Sequence, residues 1–295
     1  MINVKKLDPN YDFLVFGVSY IGNPKPNTAM FVSKKVEHLL LNLEKMEHCL
    51  VFIDNCIDFP IEYKKSNCFI ASNSPSKDYA LFVATLLEEK IEIESKIAIE
   101  KKDNYYIAAD AIIGVDTLIE PNCFIGPGVI IGNNTIIRSG TIIKNAIVGN
   151  NVIINENSVV GGSGFTMTDD EAGNKMRIPS LGKVIIGSNV EIGSLNNISV
   201  GSAGDTIIED NVKLDSLVHI GHDVHLHKNV EITAGVVVGG FVDADENCYI
   251  GINAVIRNRI RLGKKCFIGM GAVVTKSVDD GITVIGNPAK PFERK

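Results

Sequence analysis

The chain has 295 residues, a net charge of −6 and a pI near 5.6, an acidic balance that argues against nucleic acid as its main partner. At 45% hydrophobic residues it can bury a sizeable core, yet no apolar run approaches the roughly 20 residues a membrane span needs, so no membrane span is expected. The opening MINVKKLDPNYDF lacks a signal-peptide stretch and the six cysteines include no CxxC, which fits a cytoplasmic protein with reduced thiols.

Residues 1–100 read as a small α/β domain. Runs at 12–18 (DFLVFGV), 49–54 (CLVFID) and 67–72 (NCFIAS) have the length and content of strands. Over 33–46, Val36, Leu39, Leu40 and Leu43 recur at helical spacing. A second helix is predicted over 74–94, opened by Ser74 as N-cap and Pro75. Neither GxGxxG nor GxxxxGK[ST] occurs, so a dinucleotide fold or a P-loop has no support.

From about residue 107 the pattern changes. Aliphatics recur every six residues from Ile107 through Ile113, Ile119, Ile125, Ile131 and Ile137 to Ile143. One residue drops out before Val148, Ile154 and Val160. A second series runs through Ile186, Ile192 and Ile198, steps ten residues to Ile208, and continues in sixes to Val274. A period of six predicts a parallel β-helix of short flat strands, three hexads to a coil, with each coil burying its face only against the next. Cys123, Cys248 and Cys266 each precede an inward aliphatic by two residues, where alternation turns them inward as core filler. The predicted domains are 1–100, a β-helix over 101–280, and a short tail over 281–295.

This hexad pattern resembles the left-handed β-helix acyltransferases of the hexapeptide-repeat family. The resemblance covers about two-thirds of the chain and supplies the handedness. It implies a homotrimer with active sites between neighbouring helices. Two subfamilies are similar. GGSGFTMTDDEAGNKMRIPSLGKVIIGSNVEIG (161–193), DTIIEDNVKLDSLVHIGHDV (205–224) and AMFVSKKVEHLL (29–40) resemble UDP-3-O-acylglucosamine N-acyltransferase, whose N-terminal domain holds the nucleotide. GHDVHLHKNVEITAGVVVGG (221–240) and GMGAVVTKSVDDGITVIGNPAKPF (269–292) resemble the nucleotide-amino-sugar N-acetyltransferases and the coenzyme A-binding end of hexapeptide acetyltransferases. The lipid A enzymes end in a helix that meets acyl carrier protein, and a chain stopping at Lys295 has no room for it, so coenzyme A is the expected donor. Three places depart from these patterns. Lys34, Lys35 and Val36 stand where the lipid A enzyme has Asn and an aromatic, Ser199 and Val200 where it has Asp-Arg, and Glu231 where the acetyltransferases often carry a second His.

Four of the six histidines lie between His219 and His227. Acyl transfer to an amine must dispose of a proton as the tetrahedral intermediate forms, and an imidazole suits that at neutral pH. His222 matches the family base, with Asp223 to orient it. His219 and His225 each precede an inward aliphatic and so point outward, toward a cleft or solvent. His222 and His227 have the H-x4-H spacing of γ-class carbonic anhydrases, but no upstream hexad histidine supplies a third ligand, so no metal is expected. The resemblance assigns Gly240, Gly269, Gly271, Asn287 and Lys290 to coenzyme A, with Gly240 as oxyanion donor and Lys290 pairing with a phosphate. Phe31, Phe165 and Lys175 are the expected acceptor contacts. Taken together, the expectation is a short-chain N-acyltransferase using coenzyme A on a nucleotide-linked amino-deoxysugar. The alternatives are UDP-3-O-acylglucosamine N-acyltransferase with acyl carrier protein, a zinc protein of the carbonic anhydrase kind, and a non-catalytic scaffold.

Overall fold

The computed structural model describes residues 1–292. They divide into two units. The first joins Met1–Lys96 to Phe165–Gly182 and Ser202–Gly204; the second takes Ile97–Gly164, Lys183–Gly201 and the chain from Asp205 on.

In the first unit four parallel strands, β1 (Gly17–Val18), β2 (Thr28–Val32), β3 (Leu50–Asp54) and β4 (Cys68–Ser72), lie in chain order. Alternation sends Leu50 and Phe52 to one side, with Ala29, Tyr79, Phe82 and Val83, and Val51 and Ile53 to the other, with Met30, Val32, Leu40 and Leu43. Both faces of β3 are covered, which is why its sequence is an unbroken apolar run. Strand β2 has no counterpart among the runs read from sequence. The segment Lys34–Leu43 is not one α-helix but a 3-10 helix broken at Val36 (φ −122°, ψ 17°). Helix α1 (Pro75–Glu94) begins where expected, but Ser74 makes no side-chain cap. Instead Ser72 Oγ accepts from the Ser74 N–H at 2.9 Å and donates to Asp78 Oδ2 at 2.6 Å. The insertion over 165–182 belongs to this unit: a hairpin pairs Met167–Asp169 with Lys175–Arg177, Thr168 bonds Ser76 at 2.7 Å, and Ile178 is buried with the α1 side chains.

The second unit is a left-handed parallel β-helix. Its strands stack into three sheets, here the first, second and third faces in the order the chain visits them, of ten, eight and ten strands. The expected aliphatics form the inner columns in register. Ile198, Ile220, Val238 and Ile256 stack on the first face, Ile208, Leu226, Ala244 and Leu262 on the second, and Leu214, Ile232, Ile250 and Ile268 on the third. Cys123, Cys248 and Cys266 are buried among them, and burial pushes the Cys123 thiol up. The end ladders reverse: Ile99–Lys101 runs antiparallel to Tyr106–Ala108, and Lys290–Pro291 to Thr283–Ile285. Thr283–Ile285 itself continues the third face beside Phe267–Ile268. The expected tail is thus paired into the β-helix as far as it is described; residues 293–295 lie outside the described residues.

Corners between faces repeat one device. The residue three before the inward aliphatic has positive φ, and it is Asn at 122, 134, 145, 151, 157, 189, 211, 229, 247 and 253. Asparagine tolerates that conformation better than other residues with a Cβ, which explains the hexads' Asn content.

Candidate functional site

His222 follows strand His219–Ile220 at the corner between the first and second faces. Its Nδ1 lies 2.7 Å from Asp223 Oδ2. Asp223 holds the positive-φ corner position (φ 58°), and its N–H donates to the buried Thr206 Oγ1 at 3.0 Å. The side chains are 16% exposed for His222 and 4% for Asp223, so the pair is largely shielded from water. A carboxylate on Nδ1 holds the proton there and leaves the basic lone pair on Nε2.

Nε2 faces the coil above. A Cβ built on Gly240 would meet Nε2 at 2.6 Å and Cε1 at 2.7 Å. Only glycine lets the imidazole lie against the backbone at this point. The same corner then departs from the asparagine rule. Phe241 (φ 60°) and Arg259 (φ 61°) take the positive-φ positions in the next two coils. Bulky residues there are costly and persist where the surroundings hold them. Phe241 donates its N–H to the His222 carbonyl at 2.9 Å and sets its ring edge-on to the imidazole, centroids 5.3 Å apart. Arg259 lies 4.0 Å over the Phe241 ring. Thr206, Phe241 and Arg259 were not singled out from sequence. The readable signal for the last two was a Phe and an Arg at a hexad position where Asn recurs.

His219 sits on the first face, half-buried, and burial followed by the charge of His222 lowers its pKa below 6.5. His225 and His227 lie on the second face, with His225 Nε2 2.8 Å from Glu209 Oε1 and His227 Nε2 2.9 Å from Asp243 Oδ1. Of the H-x4-H pair, His222 turns a corner and His227 stands on a face.

The remaining expected residues occupy separate places. Gly269 and Gly271 lie at the corner between the third and first faces, not at the corner of His222 and Gly240. Lys290 and Asn287 are exposed at the end of the third face. In the first unit Phe31 is half-buried with its ring 5.2 Å from Tyr79 of α1. Phe165 is 73% exposed with Arg177 5.1 Å over its ring, and Lys175 pairs with Asp169 at 2.5 Å across the hairpin. A single chain thus brings His222, Asp223 and Gly240 together and leaves Gly269, Gly271, Asn287 and Lys290 elsewhere.

Comparison with known proteins agrees with this architecture. The bacterial transferase hexapeptide family (six repeats) matches residues 110–145 and 205–240. The β-helix carries the repeats of that family over these residues. The UDP-3-O-acylglucosamine N-acyltransferase of Coxiella burnetii is 46% identical over 68 residues, 23% of this chain and 20% of that protein. The same-named protein of Albidiferax ferrireducens is 49% identical over 70 residues, 24% of this chain and 21% of its own. The chain thus spans about a fifth of the length of the curated relatives it matches. Among solved structures, the UDP-N-acetylglucosamine acyltransferase of Francisella novicida aligns over 65% of this chain and 69% of that one, with TM-score 0.59 and 27% identity. No helix among the described residues is long and apolar enough to cross a membrane.

Proposed function

We propose that the protein is a cytoplasmic, homotrimeric N-acyltransferase that moves an acyl group from a thioester to the amino group of a nucleotide-linked amino sugar. The observation that carries this reading is the His222–Asp223 pair, 2.7 Å apart, with Gly240 packed on the imidazole edge. The sugar amine attacks the thioester carbonyl and a C–N bond forms. His222 Nε2 accepts the ammonium proton of the tetrahedral intermediate, and the Gly240 N–H stabilises its oxyanion. Collapse breaks the C–S bond, and the proton passes from His222 to the departing thiolate. Asp223 holds the imidazole tautomer throughout. The first unit, with Phe31, Phe165 and Lys175, would hold the nucleotide-sugar.

The names of the relatives favour UDP-3-O-acylglucosamine as acceptor over the deoxysugar expected from sequence; the reading that goes with this acceptor has acyl carrier protein, not coenzyme A, presenting the acyl group. The coenzyme A reading rests on Gly269, Gly271, Asn287 and Lys290, which one chain does not gather at His222; a neighbouring copy would have to supply them. The deciding assay offers UDP-3-O-acylglucosamine and a panel of nucleotide-linked amino-deoxysugars, each with acyl carrier protein or coenzyme A thioesters, and reads thiol release and product mass. Amide formation with UDP-3-O-acylglucosamine and a carrier-protein thioester supports the first acceptor and donor. Turnover only with acyl-CoA on a deoxysugar restores the second. No amide with any pair refutes N-acyl transfer.

A further inference from the structure

His225 and His227 flank the buried Leu226, so strand alternation turns both outward on the second face. Their rings stack with centroids 3.8 Å apart and planes 23° from parallel. One carboxylate oxygen from the coil below serves both: Glu209 Oε1 lies 2.8 Å from His225 Nε2 and 3.2 Å from His227 Nδ1. From the coil above, Asp243 Oδ1 lies 2.9 Å from His227 Nε2. The acyl-transfer reading gives none of these four residues a part, because its base faces Gly240 at the corner.

Ligand atoms of Glu209, His225 and His227 all fall within 4.8 Å of one another. Tetrahedral coordination with bonds of about 2.0–2.2 Å places ligand atoms about 3.4 Å apart, close to the spacing already present. We propose that Glu209 Oε1, His225 Nε2 and His227 Nδ1 bind a divalent transition-metal ion of the zinc or cobalt kind on this face. Two imidazoles and one carboxylate suit such an ion, whereas calcium and magnesium prefer all-oxygen sets. Asp243 completes the arrangement. It accepts the Nε2–H of His227, which fixes the neutral tautomer with its lone pair on Nδ1, toward Glu209. The site differs from the H-x4-H pairing read from sequence, since His222 takes no part, and it revises the expectation of a metal-free chain. Its ligands come from two successive coils, so the ion ties outer side chains together and favours the folded form.

The test titrates the whole 295-residue chain, stripped of metal, with Co2+ at about pH 7.5. Visible absorption and equilibrium dialysis report coordination and stoichiometry, and Zn2+ serves as competitor. One ion per chain is expected, with a rise in Tm. His225→Ala and His227→Ala abolish binding at the same free-ion concentration, as does Glu209→Gln, which preserves side-chain size. Asp243→Asn weakens binding by about 10–100-fold, and His222→Ala retains it. The proposal is overturned if the wild type takes up no ion, as two histidines merely paired with carboxylates would behave. It is equally overturned if His225→Ala and His227→Ala retain the ion, or if His222→Ala loses it to the same degree.

Discussion

His222 and His225 stand three residues apart in one coil, and the fold puts them in different surroundings. His222 occupies a corner, where the chain turns and the neighbour above is the backbone of Gly240. His225 occupies a flat face, where alternation matches it with His227 and the coils above and below supply carboxylates. In a β-helix, hexad position decides what a side chain meets. A corner residue is pressed on the next coil's turn, and a face residue shares solvent with its neighbours two along and one coil away. On the two proposals above, the clustered histidines are two separate sites, a shielded base and a half-buried ligand pair.

The largest effect that sharpens this contrast is on turnover. His222→Ala is expected to lower kcat by about 10²–10⁴-fold with KM nearly unchanged, in steady-state thiol release. An unchanged kcat would demote the corner to packing. Next comes Gly240→Ala, whose new methyl would occupy the space of the imidazole. Displacing the base by about 1 Å costs about 10²-fold in kcat, while the urea midpoint changes little. Wild-type turnover in that variant would show that imidazole placement does not limit the reaction. Ile250→Ala, in the inner column of the third face, should cost about 2–5 kcal/mol in urea unfolding, whereas His225→Ala, on the surface, should change metal-free stability by less than about 0.5 kcal/mol. Equal losses would mean that the face histidines carry the fold.

The smallest effect is on pH dependence. The folded-state pKa of His219 lies below its unfolded value near 6.5, first through burial and then through His222. Between the two values the unfolded chain binds more protons, so stability rises with pH across that window and is lost as pH falls from about 6.5 toward the folded value. His219→Asn removes this contribution. Urea midpoints of the variant should fall less steeply than those of the wild type below about pH 6.5. Parallel curves would show that His219 is solvated like an ordinary surface histidine.

The β-helix was legible because burial imposes a strict period. Every third hexad returns to the same face, and Ile198, Ile220 and Val238 could be placed before any coordinates were known. Core cysteines followed from the same alternation. The first unit was harder. Strand β2 is a brief apolar run after a Pro-rich stretch, and Val36 breaks a segment whose leucines keep helical spacing. At the site, His222, Asp223 and Gly240 were legible as candidates because a shared motif names them; the spatial reason for glycine at 240 emerged only with the coils stacked. Phe241, Arg259 and the Glu209–His225–His227 group were not, since contacts between successive coils, here sixteen to nineteen residues apart, emerge only when coils are stacked. The excursion over 165–182 packs with α1, and no periodicity announces that destination.

The crossed measurement of turnover and bound metal on the same two variants tests the separation of corner and face most directly. His222→Ala should lose turnover and keep its ion, and His225→Ala should lose the ion and keep turnover, with chelator leaving wild-type kcat unchanged. If both variants lose both properties and chelator inactivates the wild type, the histidines form one metal-dependent centre, and the division between base and ligand pair is wrong.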